Sequence, residues 1–264
     1  MWSFEKIDWE EYYLTVPELV KSLLDGTRKV DRSVERARRE YEAKWAEQRD
    51  LATDADAFRR QLLFPRPGPT TIFTLGDEVF RGDVLHRHAI KDSLINNTVA
   101  RYGEGPVCVL GCGFGESTTR LVTSRPKYGG ELSDAGVECC RRLGLDAVHF
   151  NYYQKDDYRL IRPGTTVLSV HSLEQIPDAT SFLEGMRSRK DDIEFVVHLE
   201  PTWLEERTGL CGFLRNRYME VNDYNRNLYA ILRDAPDVEI LEFQPDVFGQ
   251  VPLNSSTLIV WRFR

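Results

Sequence analysis

Residues 107 to 115 read Val-Cys-Val-Leu-Gly-Cys-Gly-Phe-Gly, an apolar, β-branched run that breaks into three glycines at alternate positions. Gly111, Gly113 and Gly115 carry no Cβ, so the chain can turn tightly with φ > 0 and lay bare backbone amides against a ligand. The helix-like Glu116 to Leu121 follows, so the segment predicts a buried strand, a tight loop and a helix start. The spacing is G-x-G-x-G. A dinucleotide fingerprint sets its third glycine one residue later, where the helix N-terminus receives a pyrophosphate. A ligand without phosphates needs no such arrangement.

The next strand-like run, Lys127 to Glu131, ends on an acid twenty residues after Gly111. A carboxylate there accepts hydrogen bonds from both ribose hydroxyls of an adenosine ligand. Ser133 then caps a helix that runs through Ala135, Val137, Cys140 and Leu143 to Gly144. On these residues the chain resembles the class I S-adenosylmethionine-dependent methyltransferases, over roughly residues 85 to 264. The resemblance implies an α/β fold, a Rossmann-like sheet with helices on both faces, and S-adenosylmethionine as cofactor with S-adenosylhomocysteine as co-product. It also implies cofactor contacts from Leu110, Gly111, Cys112, Gly113, Gly115, Glu131 and Leu132, and from Asn151 and Tyr152 after the third strand. Val170 and His171 follow the fourth strand, and Arg81 precedes the core, where it either reaches the methionine carboxylate or is an exposed loop arginine. The family often has Asp where Asn151 stands. Two other readings of the loop remain: a cofactor-free turn in a Rossmann-like domain, and a nucleotide-sugar or NAD enzyme.

A chain of 264 residues accommodates one large α/β domain plus an extra module. The expected division is an N-terminal helical module over 1–69 and a methyltransferase domain over 70–264. No run of eighteen apolar residues occurs, and Met-Trp-Ser-Phe-Glu-Lys reads as neither signal nor transit peptide, so a cytoplasmic protein without membrane partners is expected. The five cysteines lack the C-x-x-C spacing of a zinc site. A net charge of −7 repels a phosphate backbone. The locally basic stretch from Arg28 to Glu40 interleaves acids at helical spacing and reads as a solvated helix face, so nucleic acid is not the expected partner.

Residues 17 to 63 read as helical, with Pro17 at the start and a break at Asp25-Gly26. From Val30, apolar residues recur at Val34, Ala37, Tyr41, Trp45, Leu51, Ala55, Phe58 and Leu62, which predicts one long amphipathic helix or two joined near Thr53-Asp54. The stripe must be covered, either by the chain's own core as a lid or by a second copy in a homodimer. Phe64 to Pro69 is a proline-punctuated connector, and a helix over Asp83 to Tyr102 leads into the core. Strands over 106–110, 127–131, 146–149, 165–170 and 193–199 then alternate with helices over 115–124, 134–143 and 179–188. A long helix within 210–233 precedes two strands near 238–243 and 256–263. This alternation means a mainly parallel sheet, and the last two strands, with no helix between them, match the family's final antiparallel hairpin.

Ligands in open α/β sheets lie at the carboxyl ends of the strands. His171, ending the fourth strand, is the candidate general base, with Glu174 to orient it or hold substrate. Glu200, after the fifth strand, is placed to contact the acceptor, while His198 inside that strand reads as a satisfied core residue. His86 and His88 read as surface residues. Asn222, Asn225 and Arg226 fall at i, i+3, i+4 of a predicted helix, where they either bind a polyhydroxylated or zwitterionic acceptor or bridge neighbouring loops. Tyr12 and Tyr13, with Trp2, Phe4 and Trp9, form a lid over the site or a packed arm. Metal assistance is not expected, because Val170-His171 stands where metal-dependent family members carry Asp. The Asn/Asp-Pro-Pro-Tyr motif of base and glutamine methylases is missing as well. His171 to Pro177 and the Asn225-containing segment are similar to bacterial sugar O-methyltransferases. The expected activity is therefore O-methylation of a small-molecule acceptor, a sugar or natural-product hydroxyl. The alternatives are small-molecule N-methylation, an RNA-modifying enzyme and a non-catalytic binding module.

Overall fold

The computed structural model describes residues 4–26, 30–64 and 68–264. Trp2, Arg28, Lys29 and the Pro65-Arg66-Pro67 part of the connector lie outside them. Strand β1 (Phe4–Ile7) is followed by helices α1 (Trp9–Thr15), α2 (Pro17–Asp25), α3 (Val34–Leu51) and α4 (Ala55–Leu63). The hairpin β2 (Thr70–Leu75) and β3 (Glu78–Asp83) leads to α5 (Val84–Arg101). Then come β4 (Val107–Leu110), α6 (Glu116–Arg120), β5 (Lys127–Glu131), α7 (Asp134–Arg142), β6 (Asp146–His149), β7 (Thr165–Val170), α8 (Thr180–Arg187) and β8 (Ile193–Pro201). Helices α9 (Gly209–Val221) and α10 (Leu228–Asp234) precede β9 (Val238–Gly249) and β10 (Ser256–Phe263).

All ten strands form one sheet in the order β1-β3-β2-β9-β10-β8-β7-β4-β5-β6. β6, β5, β4, β7 and β8 run parallel, and β10 and β9 close that half antiparallel. β4 is buried at every position because helices cover both faces, which is why its sequence is continuously apolar instead of alternating. From β4 the chain winds outward through β5 and β6, then returns to β7 on the other side. The crevice at the carboxyl ends of β4 and β7 is therefore the switch point where such sheets bind ligands.

Three strands went unread in the sequence. β1 and the β2–β3 hairpin extend the sheet beyond β9, so the first 69 residues contribute a strand as well as helices. The helix expected over 115–124 stops at Arg120, ahead of the Pro126 that starts the approach to β5. The helix expected within 210–233 is two helices. Asn225 Oδ1 accepts from Leu228 N at 2.8 Å and Asp223 takes φ 50°, so short polar side chains and a left-handed residue break the helix between 221 and 228.

The joint near Thr53-Asp54 is present: Asp54 caps α4 by accepting from Ala57 N at 2.9 Å. α3 lies along α7, where Glu42 accepts from Ala135 N at 3.1 Å in the first turn of α7. Phe58 and Leu62 of α4 pack on Cys139, Leu143 and Phe114. The amphipathic stripe is thus covered by the chain's own core. No helix among the described residues is long and apolar enough to cross a membrane.

Candidate functional site

The loop after β4 turns on glycine: φ is 67° at Gly111, 57° at Gly113 and 89° at Gly115, values that L-residues rarely adopt. Gly111 and Gly115 also sit where a Cβ would crowd its neighbours. A Cβ on Gly111 would meet Ser172 of the loop after β7, and one on Gly115 would meet Leu145 and Cys140 beneath α6. Glu131, 5% exposed, reaches back from the end of β5 and accepts from Gly113 N at 3.0 Å through Oε2. Its Oε1 accepts from Ser133 N at 3.1 Å and Ser133 Oγ at 2.9 Å. Burial pushes the Glu131 carboxyl above the ordinary carboxylate range, and these donors pull part of the way back.

A cavity of about 430 Å³ opens over this loop, within the size range of small-molecule sites. Its floor is Gly111, Cys112, Gly113, Glu131 and Leu132, its walls Asn151, Tyr152, Val170, His171 and Glu174, and its roof Tyr41, Lys44 and Trp45 of α3. α3 thus contributes to the lining of this cavity within the same chain. Leu110 is fully buried beneath the loop, and Gly115 serves helix packing.

Ser172 ties the two central loops together. Its hydroxyl donates to Leu110 O at 2.8 Å, which leaves Oγ to accept from the Tyr152 hydroxyl at 2.8 Å. Glu200, fully buried, holds the same segment by accepting from Ser172 N at 3.0 Å, Leu173 N at 3.1 Å and Glu174 N at 3.2 Å. Glu200 lies near the end of β8 and, fully buried, does not line the cavity, so it holds the backbone of the loop after β7 instead of making the acceptor contact expected of it.

His171 follows β7 at φ 49°, a strained position for a residue with a Cβ. Its Nε2 lies 2.7 Å from Ser256 Oγ and its Nδ1 3.3 Å from Glu174 Oε2. Burial draws its pKa down, but the Glu174 and Glu200 carboxylates outweigh burial and raise it above the ordinary histidine value. His198 differs in every respect. The Trp261 indole donates to Nε2 at 2.9 Å, so Nδ1 carries the proton and donates to Ser169 Oγ at 2.8 Å. Burial holds it neutral, with its pKa pushed down to about 3, as a satisfied core residue.

Other expected site residues lie elsewhere. Arg81, on β3 near the far edge of the sheet, pairs with Glu11 at 2.5 Å and Glu5 at 3.6 Å. Tyr12, Tyr13 and Trp9 pack with Leu23, Val79 and Leu214, so these three belong to a packed arm. Asn222, Asn225 and Arg226 do not share a helix face, since they occupy the break between α9 and α10. Asn222 bonds back to Tyr218 O at 2.8 Å, Asn225 accepts and donates among Leu228 N and Ile176 O, and Arg226 is exposed beside Asp223. His86 and His88 are half-buried instead of at the surface, and His88, 3.9 Å from Glu116, has its pKa pushed down to about 4 by burial.

Sequence reasoning missed Lys91, Gln175, Tyr224 and Asn254, all of which line the cavity. Lys91 had a signal: it shares the buried face of α5 with Ile95, Thr98 and Val99, an unusual place for an ammonium group. It is 4% exposed and lies 3.8 Å from Glu116. The thiol of Cys112 is no nucleophile, because Cys140 Sγ at 3.7 Å and burial both raise its pKa.

Doubly wound parallel strands, a terminal antiparallel hairpin and a three-glycine loop facing an acid at the end of the second core strand now stand together. This is the fold of the class I methyltransferases. No family model matches the chain, and no curated protein matches it in sequence. Among solved structures it is similar to OxaC, with TM-score 0.44 and 11% identity over 60% of this chain and 42% of that one. It is also similar to the CcbJ methyltransferase from Streptomyces caelestis, with TM-score 0.46 and 15% identity over 65% and 89%. Magnesium protoporphyrin IX methyltransferase from Synechocystis PCC 6803, solved with bound SAH, gives TM-score 0.48 and 15% identity over 68% and 84%. The match spans 42% of OxaC and 51% of the pyocyanin biosynthetic protein PhzM.

Proposed function

We propose that this chain is an S-adenosylmethionine-dependent methyltransferase acting on a hydroxyl group of a small molecule. The observation that carries the reading is the glycine loop held at positive φ against the buried Glu131 carboxylate, at the switch point of the sheet. The residues present fit the cofactor: the glycine loop, Glu131 and Leu132 line a cavity of suitable size. Glu131 would accept from the ribose hydroxyls, Leu132 and Asn151 would adjoin the adenine, and Lys91 would take the carboxylate-binding role expected of Arg81. The bound cofactor supplies a methyl group activated on a sulfonium, and S-adenosylhomocysteine leaves.

The chain supplies exclusion of water and a place for the acceptor's proton. Tyr41 and Trp45 roof the cavity, and Trp45 lies 4.9 Å from Phe114 in ring centroids, which closes the loop side against solvent. His171 and Glu174 form one proton-holding pair between Nδ1 and Oε2, anchored by Ser256 on the far side of the ring. As the acceptor oxygen bonds to carbon, its proton passes to this pair, which must have lost its own proton first. The net acidic surface and the inward fold of Arg32, whose Nε donates to Asn222 O at 3.0 Å, favour a small acceptor over RNA.

Incubation with methyl-labelled cofactor and a panel of sugars, glycosides, nucleosides and amines tests the reading. Label on a hydroxyl, with one S-adenosylhomocysteine formed per transfer, is the expected result. Label found only on amines would overturn the oxygen assignment.

A further inference from the structure

Three lysine and arginine side chains line the cavity, and two of them face an acid. Lys91 lies 3.8 Å from Glu116 and Arg32 3.4 Å from Glu40. Lys44 meets no carboxylate among the described residues, although Glu40 stands four residues before it on α3, the spacing at which such pairs form. Glu40 is turned to Arg32 instead, and the Lys44 ammonium lies over the roof, with Nζ 4.6 Å from the Trp45 ring centroid and 5.2 Å from that of Tyr41. The two rings are stacked, 5.8 Å apart and 29° from parallel. Their π-faces hold the cation in place without neutralising it. The Tyr41 hydroxyl is uncommitted as well. It bonds to none of the described residues, and whereas the Trp45 indole nitrogen is sealed within the protein, this hydroxyl keeps accessible surface. Burial pushes its pKa up, and the charges of Glu174 and Tyr224 across the cavity push the same way, so it stays a neutral donor. The roof therefore presents an unneutralised cation beside an unused hydroxyl, opposite the His171 and Glu174 pair.

We infer that Lys44 and Tyr41 form a carboxylate-binding subsite, so that the molecule methylated is a hydroxy acid with its hydroxyl at His171 and Glu174 and its carboxylate beneath α3. This rests on the methyltransferase reading and narrows its substrate class. Lys44 Nζ and Tyr41 Oη each donate to one carboxylate oxygen, a pair of bonds of which the first is charge-assisted. The surroundings admit a single negative charge. Glu40 and Glu174 both act on the Tyr41 hydroxyl, so a phosphate monoester, close to doubly charged at neutral pH, would set its second charge against them. An ammonium group in the same place would meet Lys44 and Arg32. A neutral acceptor would gain the Tyr41 bond alone and leave the cation without a partner. Placing the carboxylate at the roof also keeps it away from the Glu174 carboxylate while the hydroxyl reaches the proton-holding pair.

The test uses the full chain saturated with S-adenosylhomocysteine and two matched sets of probes, with dissociation constants read by ligand-observed NMR titration. One set is 4-hydroxybenzoate, 4-hydroxybenzamide and 4-hydroxyphenyl phosphate, and the other is glucuronate, glucuronamide and glucose 6-phosphate. Expected in at least one set is an acid bound about tenfold more tightly than its amide and more tightly than its phosphate. Lys44→Met should remove the preference for acid over amide, Lys44→Arg should keep most of it, and Tyr41→Phe should weaken the acid about fivefold. S-adenosylhomocysteine affinity should stay within about twofold of the wild type in Lys44→Met, since the subsite belongs to the acceptor. No such preference in either set, or one that survives Lys44→Met, overturns the inference. So does a large loss of S-adenosylhomocysteine affinity in Lys44→Met, which would assign the cation to the cofactor. Failure of the wild type to bind S-adenosylhomocysteine would instead overturn the methyltransferase reading beneath it.

Discussion

Replacing Gly111 by alanine separates backbone strain from steric conflict, because Gly164 offers a matched control. Gly111 has φ 67° and Gly164 φ 70°, so alanine at either must adopt a left-handed conformation at a cost of roughly 1–2 kcal/mol. A Cβ at Gly164 meets nothing within 4 Å, whereas at Gly111 it falls within 3.0 Å of Ser172, including 2.7 Å from Oγ. Ser172 cannot retreat without breaking its bonds to Leu110 O and Tyr152 and dragging the amides held by Glu200. Overpacking adds about 1–3 kcal/mol and each lost hydrogen bond about 1. Gly164→Ala should therefore cost roughly 1–2 kcal/mol and Gly111→Ala roughly 4–7. In a chain of this size that is a fall in Tm of a few degrees for the control and on the order of 10 °C for Gly111→Ala. Urea midpoints and thermal melts of both variants provide the comparison. Equal losses would refute the argument that the β4 and β7 loops interlock through this glycine.

Because Glu174 and Glu200 raise the pKa of His171 and the reaction needs the pair deprotonated, kcat should climb with pH through a value above about 6.5. A profile flat from pH 5.5 to 9, or one whose inflection survives in His171→Gln, contradicts this. His198 is protonated in the unfolded chain below about pH 6.5, but the native protein takes that proton only near pH 3. Stability should therefore fall with acid across that window by up to roughly 1.4 kcal/mol per pH unit, and urea midpoints of His198→Gln should show a shallower slope than the wild type. Glu200→Ala should destabilise the protein by roughly 3 kcal/mol or more through three unpaired amides, while Glu200→Gln keeps one accepting oxygen and costs less. Equal urea midpoints for the two Glu200 variants would contradict this.

The parallel core was legible because its signals are local. Val107 to Gly115, Glu131 and the Ser133 cap each state their own geometry, and the joint at Asp54 announces itself through a capping side chain. What failed depends on contacts between distant segments. β1 is four residues long and is a strand because β3 lies beside it. Arg81 looked well placed along the chain, yet β3 carries it away from the glycine loop to Glu5 and Glu11. Glu200 looked like a substrate contact, but its partners are backbone amides nearly thirty residues earlier, which no pattern of side chains reveals. Asn254 belongs to a loop between two strands and gains meaning only when the sheet brings it to Glu174.

The central claim is that the loop and Glu131 hold a phosphate-free adenosine cofactor, and calorimetric titration with S-adenosylhomocysteine tests it most directly. One molecule should bind per chain, and Glu131→Ala should weaken binding on the order of 100-fold, the loss of two charge-assisted hydrogen bonds to ribose. NAD should not compete. No binding by the wild type, equal binding by Glu131→Ala, or displacement by NAD would contradict the account.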